Sequence, residues 1–348
     1  MSWSTTKYEK AMKVYLIEEL GEEEGSVLYS DYEHLRNELV KDNFFQEIKI
    51  QEPSLSDHSD RHIRDVQNRA YRLIGDFKER GLSVMDVYCL SLMILFHDVG
   101  NIFGRKGHDS ICKIAEVYNK YRVSHESYGD ERRQVTLGAS AHSGLSSAGC
   151  KDTLKYLIKG SIKSEEINLP EIAAILRFAD ELSEGKHRTC SFLLERGMYE
   201  AESQIYHKYA NITEILIDRA LERISITYNI NVSDKFDENI DEQAEITELI
   251  KFSFYRAIKL DQERRYTKYY SSTLQAFKYV TVLYNFEKNY TPLVLNIQPI
   301  RFEDQYPIPG VHFVLDAQQA EELITINNPN FKIDDVINQL RTAKIEIL

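Results

Sequence analysis

The run Tyr88-Cys89-Leu90-Ser91-Leu92-Met93-Ile94-Leu95-Phe96 is apolar on every face, and His97-Asp98-Val99-Gly100-Asn101 follows it at once. A helix without a polar stripe is stable only when other elements enclose it. This run therefore calls for other elements to cover it. It also delivers an imidazole and a carboxylate side by side at the edge of that core. Ser83 stands where an N-cap for the helix would fall. The run is far below the roughly 18 residues that a membrane span needs. Upstream, Ile63, Val66, Ala70, Leu73, Ile74 and Phe77 recur at three- and four-residue steps, which predicts an amphipathic helix over 62–78 with Gly81 as its stop signal. Tyr8, Met12, Tyr15 and Leu16 mark a first helix in the same way. Further helices are predicted at 108–121, 130–142, 150–159 and 170–183, the last with Pro170 in its first turn.

After about residue 220 the pattern changes. Residues 223–232 alternate polar and apolar, as a strand does. A long helical pattern over 240–288 follows. Leu293–Ile297 and Val311–Leu315 then read as strands, with Pro307 and Pro309 marking the turn between them. A last helix is predicted over 333–343. The fold class is thus mainly α: an all-helical domain over 1–220, followed by a smaller α+β accessory domain over 221–348. A length of 348 residues accommodates two such domains.

Composition narrows the function. The chain carries 43 Lys+Arg against 55 Asp+Glu, a net charge of -12. That balance argues against a protein whose main work is coating DNA or an anionic membrane. It leaves room for a local basic pocket. The N-terminal segment has no apolar core of a secretory signal, so the expected location is the cytoplasm. Cys89, Cys112, Cys150 and Cys190 are scattered and are expected to stay reduced. The glycosylation-type strings at Asn211, Asn231 and Asn289 then read as chance matches.

The chemistry gathers at predicted helix ends. His62 opens the helix over 62–78, and His58 precedes it by four residues. His97-Asp98 ends the apolar helix. His108 follows Gly104-Arg105-Lys106-Gly107, His142 stands in Ala141-His142-Ser143-Gly144, and Asp180 lies in Leu176-Arg177-Phe178-Ala179-Asp180. Imidazole nitrogen with carboxylate oxygen suits Mn, Fe, Co, Ni, Zn or Mg. A carboxylate has two oxygens and can bridge two ions. A bound ion lowers the pKa of its water toward 7 and makes hydroxide available at neutral pH. His34, His187, His207 and His312 read as surface or core histidines.

The ordered set His62, His97-Asp98 and Asp180 resembles the HD superfamily of metal-dependent phosphohydrolases. The longer strings around it resemble a bacterial branch with two additional histidines between the His-Asp pair and the last Asp. The resemblance covers about residues 55–190 and implies an HD-type helical bundle. It implies a first metal held by His62, His97, Asp98 and Asp180, and a second completed by His108 and His142, with His125 as the alternative to His108. One or two divalent ions are the expected cofactor. The chain departs from the best-known branches at Asn101, where cyclic-dinucleotide phosphodiesterases usually have Lys and deoxynucleotide triphosphohydrolases usually have His.

The implied activity is hydrolysis of a phosphoester by metal-activated hydroxide, with a nucleotide or related small phosphoester as substrate. Asp98 anchors the metals, and His58 or His142 is the candidate proton donor to the leaving oxygen. Phosphate needs cations, and Arg105, Lys106, Lys186, Arg188, Arg61 and Arg177 are the nearest in sequence. Ser143 is a further substrate-side candidate. Two alternatives stand beside this reading. One is a single-strand nuclease, for which Arg264-Arg265-Tyr266-Thr267-Lys268-Tyr269-Tyr270 would supply a basic, stacking groove. The other is a non-catalytic regulatory module with a structural metal. The expected partner is a small phosphorylated ligand, with no membrane, nucleic acid less favoured, and a homo-oligomer left open.

Overall fold

The computed structural model describes residues 3–51, 57, 59–122, 128–143, 151–304 and 332–343. These residues form two compact units. The first holds residues 3–183 with Tyr266–Ala276, and the second holds Glu184–Arg265, Phe277 to 304 and 332–343. The described chain is mainly helical, with twelve α-helices, one two-stranded hairpin and one five-stranded mixed sheet.

The first unit is built from α1 (Lys7–Leu20), α2 (Glu22–Lys41), α3 (Phe44–Gln51), α4 (Asp60–Ile74), α5 (Val84–Phe96), α6 (Ile111–Tyr121), α7 (Gly129–Ser140) and α8 (Leu169–Glu181). The apolar run is α5, and every residue from Met85 to Phe96 is buried. Ser83 caps it in a reciprocal box with Asp86. Asp86 Oδ1 also accepts from the backbone N–H of Asn168 at 2.7 Å, which ties the start of α8 to the start of α5. Helices α1, α2, α4, α7 and α8 all pack on α5. Val84–Phe103 is the one described stretch long and apolar enough to cross a membrane, and nearly all of it is enclosed by the unit, as in a core helix.

Three buried carboxylates in this unit each accept several hydrogen bonds, as burial requires. Glu9 accepts from Thr6 N at 2.7 Å, Tyr32 Oη at 2.9 Å and Arg36 Nη1 at 2.6 Å. Glu131 accepts from Tyr88 Oη at 3.0 Å, from Arg122 Nη2 at 3.2 Å and from Tyr118 Oη. Glu171 accepts from Ser271 Oγ at 2.7 Å and from the N–H groups of Ser272 and Thr273 at 2.8 and 3.0 Å.

Two sequence expectations are corrected here. The helix over 62–78 begins at Asp60 and ends at Ile74, because Gly75 takes a positive φ of 75° and turns the chain. The helix over 150–159 does not form. Residues Leu154–Tyr156 make a single 3₁₀ turn, and the hairpin β1 (Gly160–Ile162) with β2 (Glu165–Ile167) follows. Two tyrosines hold this segment. Leu154 N–H donates to Tyr266 Oη at 3.0 Å, and Asp152 accepts from Tyr266 and Tyr270 at 2.8 and 2.7 Å.

The second unit holds α9 (Ser191–Glu195), α10 (Ala201–Ile212), β3 (Thr213–Asp218), β4 (Arg223–Val232), most of α11 (Ile240–Tyr270), β5 (Tyr279–Lys288), β6 (Thr291–Pro292), β7 (Ile300–Glu303) and α12 (Ile333–Thr342). β3 pairs antiparallel with β4, and β4 runs parallel to β5 in the register Ile224↔Val280. The crossover between these parallel strands is α11. β6 and β7 both pair antiparallel with β5.

The helical pattern over 240–288 is therefore two elements. The helix stops at Tyr270, and 279–288 is a strand with Val280, Val282 and Phe286 buried. The β-branched alternation of Tyr279-Val280-Thr281-Val282 prevails over the helical period. Leu293–Ile297 is no strand. Leu293 N–H reaches Phe286 O at 2.9 Å, and the chain then leaves the sheet until β7. The strand expected at Val311–Leu315, and the turn at Pro307 and Pro309, lie outside the described residues.

Candidate metal centre

Six residues of the first unit meet around the end of α5. His97 is the residue that closes α5, and Asp98 opens the 3₁₀ turn Val99–Phe103. His62 lies in the first turn of α4, His142 just past the end of α7, and Asp180 in the last turn of α8. Three of the six thus stand at helix C-termini, where the helix dipole favours a cation.

The residues form two groups, and Asp98 faces both. His62 Nε2 lies 3.2 Å from Asp180 Oδ1 and 3.4 Å from Asp98 Oδ2. His97 Nε2 lies 3.3 Å from Asp98 Oδ2 and 3.7 Å from Asp180 Oδ1. On the other side, His108 Nε2 and His142 Nε2 each lie 3.7 Å from Asp98 Oδ1. The donor atoms within His62, His97 and Asp180, and within Asp98, His108 and His142, come within 4.8 Å of one another.

The imidazoles are oriented by backbone. His97 Nδ1–H donates to Ile94 O at 2.8 Å, His142 Nδ1–H to Ala139 O at 2.6 Å and His108 Nδ1–H to Arg105 O at 3.2 Å. Each acceptor lies three residues upstream, so each ring is held against the end of its own helix or turn. Holding the proton on Nδ1 leaves the Nε2 lone pair directed at the carboxylates, the arrangement of a metal-ligating histidine.

Electrostatics point the same way. Burial alone would make His97 harder to protonate, but Asp98 and Asp180 outweigh it and push its pKa up to about 10. The same two histidine contacts, from His62 and His97, hold the Asp180 carboxyl well below its usual range against the effect of burial. Burial and the His97 charge push His142 down to about 4. Burial also lowers His108. Without a metal, the first group thus retains a proton between two carboxylates, while the second group holds neutral imidazoles. His97 Nε2 is fully buried and makes no hydrogen bond of good geometry. A divalent ion would suit the first group, where it would satisfy that nitrogen and replace the proton as partner of the carboxylates, and the second group has the donor set to hold an ion as well.

The loop from Asp98 to His108 explains the glycine of the His-Asp-x-Gly string. A Cβ on Gly100 would stand 1.8 Å from the His108 carbonyl oxygen. Only a residue without a side chain lets the His108 turn close this tightly. Asn101, fully buried, was noted in the sequence only as a departure from known branches. It donates from Nδ2 to Asp98 Oδ1 at 3.0 Å and to Asp98 O at 3.1 Å. Its offset of three residues from Asp98, in a turn, was the signal available in the sequence.

A profile of the HD-CE family matches residues 52–251, which takes in all six of these side chains. The chain belongs to the HD-CE family. An HD-like domain is therefore present, as the sequence resemblance implied. No curated protein and no solved structure matches the chain.

The remaining candidates of this HD-CE protein sort by their surroundings. Arg105 is exposed, and its Nη1 donates to Asn101 Oδ1 at 3.3 Å. Lys106 is exposed, and its carbonyl accepts from Lys113 Nζ at 2.8 Å. Ser143 Oγ lies 3.3 Å from His108 Nε2. Arg61 is exposed at the start of α4. Arg177 is buried and serves the fold: it donates to Thr153 Oγ1 at 2.8 Å and lies 4.6 Å over the Tyr266 ring. Lys186 and Arg188 belong to the second unit, 3.6 Å from Glu214 and 3.6 Å from Glu184 respectively. His58 and His125 lie outside the described residues, as does His312.

His207 is buried in the second unit, stacked on Tyr199 with ring centroids 3.5 Å apart. Of the basic and aromatic string Arg264–Tyr270, Tyr269 is 60% exposed, whereas two of the residues expected to line a groove are buried. Arg264 and Tyr266 are each 1% exposed, and the Arg264 guanidinium is held by Asp261 at 2.7 Å and Asp304 at 2.6 Å. Cys89 is buried, Cys112 and Cys190 are exposed, all three are free, and Cys150 lies outside the described residues.

Proposed function

We propose that this HD-CE protein is a phosphoester hydrolase that works with one or two divalent cations on a nucleotide or a related small phosphoester. The observation that carries the reading is the division of one carboxylate between two groups, with Asp98 Oδ2 toward His62, His97 and Asp180 and Asp98 Oδ1 toward His108 and His142. That division suits a pair of cations sharing Asp98, within an HD-type helical bundle. When bound, such cations activate a water near neutral pH and neutralise phosphoryl oxygens.

The chain's own residues do the rest. His108 and His142 stay neutral at pH 7, since burial disfavours their charged forms, so their Nε2 lone pairs remain available. Arg105, held at the rim by Asn101, meets the phosphate oxygens with a guanidinium suited to bidentate contact. Lys106 lies beside it and adds positive potential in a chain of net charge -12. His58 and His142 are the side chains considered for protonating the leaving oxygen, and Ser143 stands at the second group. A cytoplasmic location fits this substrate class.

The test is phosphate release from a panel of nucleoside mono-, di- and triphosphates, cyclic nucleotides and simple aryl phosphoesters, each with Mn, Co, Ni, Zn and Mg. Asp98→Ala should abolish turnover and metal loading together. No hydrolysis of any member with a fully loaded protein would overturn the reading and leave a structural or regulatory metal.

A further inference from the structure

We propose that Asn101 is a positioning residue that sets the affinity of the second cation, the one between Asp98 Oδ1, His108 and His142, and ties it to Arg105. The proposal rests on the two-cation reading above. Asn101 lies between two residues with opposite demands. Asp98 offers only acceptors, and Arg105 offers only donors. The amide can therefore face in one direction alone, with Nδ2 on Asp98 Oδ1 at 3.0 Å and Oδ1 on Arg105 Nη1 at 3.3 Å. The same Asp98 oxygen is the one 3.7 Å from His108 Nε2 and 3.7 Å from His142 Nε2.

The chain closes on itself. The backbone carbonyl of Arg105 accepts from His108 Nδ1 at 3.2 Å, so Arg105 orients His108 with its backbone and Asn101 with its side chain. Asp98, Asn101, Arg105 and His108 form one ring of contacts, and the second cation's three donors include two of its members. The Gly100 contact with the His108 carbonyl fixes the size of that ring. The ring faces the first group through Asp98, which presents its other oxygen there. Asn101 should thus act on one cation and leave the other nearly untouched. An anion that draws Arg105 toward itself pulls on the same amide, so phosphate and second-cation binding are coupled through Asn101.

The experiment is a titration of the metal-free full chain with Mn²⁺ and, separately, Co²⁺. It is read by calorimetry and Co²⁺ absorbance, with and without inorganic phosphate. The wild type should show two classes of site. Asn101→Leu, with the same branching but no polar atoms, should weaken one class about 10- to 100-fold, the usual effect of losing a group that orients a metal ligand, and leave the other within about twofold. Arg105→Ala, at an exposed position, should weaken the same class by a smaller factor and abolish the effect of phosphate on it. If Asn101→Leu fails to fold, Arg105→Ala decides alone. Equal weakening of both classes, or of neither, overturns the role of Asn101. A single class in the wild type overturns the two-cation reading itself, which keeps the two failures apart.

Discussion

Gly100→Ala should separate the two metal groups of this protein by steric means alone. The added methyl would stand 1.8 Å from His108 O, 2.8 Å from His108 C and 3.1 Å from His108 Cα. Ordinary contact for such a pair begins near 3.4 Å. The shortfall is about 1.6 Å, and backbone atoms cannot swing aside as a flexible side chain can. The His108 turn must therefore retreat, taking its imidazole away from Asp98 Oδ1. Overpacking of this kind costs about 1–3 kcal/mol, too little to unfold a domain of this size. A misplacement on the order of 1 Å at a catalytic group reduces turnover on the order of 100-fold. The first group is untouched by the displaced turn, since His62, His97 and Asp180 come from α4, α5 and α8. Metal analysis of the loaded variant should show the loss of one class of site, together with that fall in phosphoester turnover and only a modest drop in Tm. Two full classes of site with wild-type turnover would refute the steric argument. Loss of both classes would show that the His108 turn supports the first group as well.

Three further outcomes are expected. Since His97 is pushed up to about 10 without a cation, binding at the first group must expel a proton, and apparent affinity there should rise with pH by up to about tenfold per unit; a flat profile by calorimetry would contradict this. The cation-free protein should be most stable near pH 6.5: the His97 contribution is complete below its unfolded value of about 6.5 and is lost as pH rises through about 10. The His142 contribution, with its pKa pushed down to about 4, is present above about 6.5 and is lost as pH falls through that interval; a metal-free Tm climbing steadily into alkali would refute the pair of signs. Glu131→Gln should leave the buried Arg122 guanidinium with Asp31, 3.4 Å away, as its remaining carboxylate, and should destabilise the protein by about 1–3 kcal/mol in urea denaturation while metal binding persists; an unchanged denaturation midpoint would mean that the network is dispensable.

The helical half was legible because its helices announce themselves. The stripe from Ile63 to Ile74 and the all-apolar α5 have only one stable reading each, and Ser83 and Pro170 stand at the ends as capping chemistry requires. What escaped was decided by distant partners. Nothing near Asp152 and Leu154 in sequence reveals that Tyr266 and Tyr270 will hold this segment. Residues 279–288 continue an apolar pattern compatible with the preceding helix, and it is pairing with Arg223–Val232 across the crossover that makes them a strand. Arg264 and Tyr266 looked like a binding surface in a basic, aromatic string, yet their neighbours Asp261, Asp304 and Asp152 turn them inward.

The metal centre divides along a similar line. Side chains able to hold a cation are recognisable by type and order, so His62, His97, Asp98, His108, His142 and Asp180 stand out in the sequence, and the structure brings them together. Their convergence follows from each standing at a helix end or turn, where a side chain can leave its own element and enter a shared space. What sequence order does not carry is which oxygen of Asp98 serves which group. That depends on the side chain's rotation, and the rotation is held by Asn101, which carries no metal itself and differs from the residues of better-known branches. Replacing Asn101 by a lysine, as in one of those branches, would put an ammonium where the Asp98 carboxylate now accepts an amide. The second cation would then face a competing positive charge rather than a neutral donor. The identity of that one residue thus bears directly on whether a second cation can bind, and the two-class titration with Asn101→Lys alongside Asn101→Leu distinguishes charge from geometry: lysine should remove the second class altogether, and leucine should only weaken it.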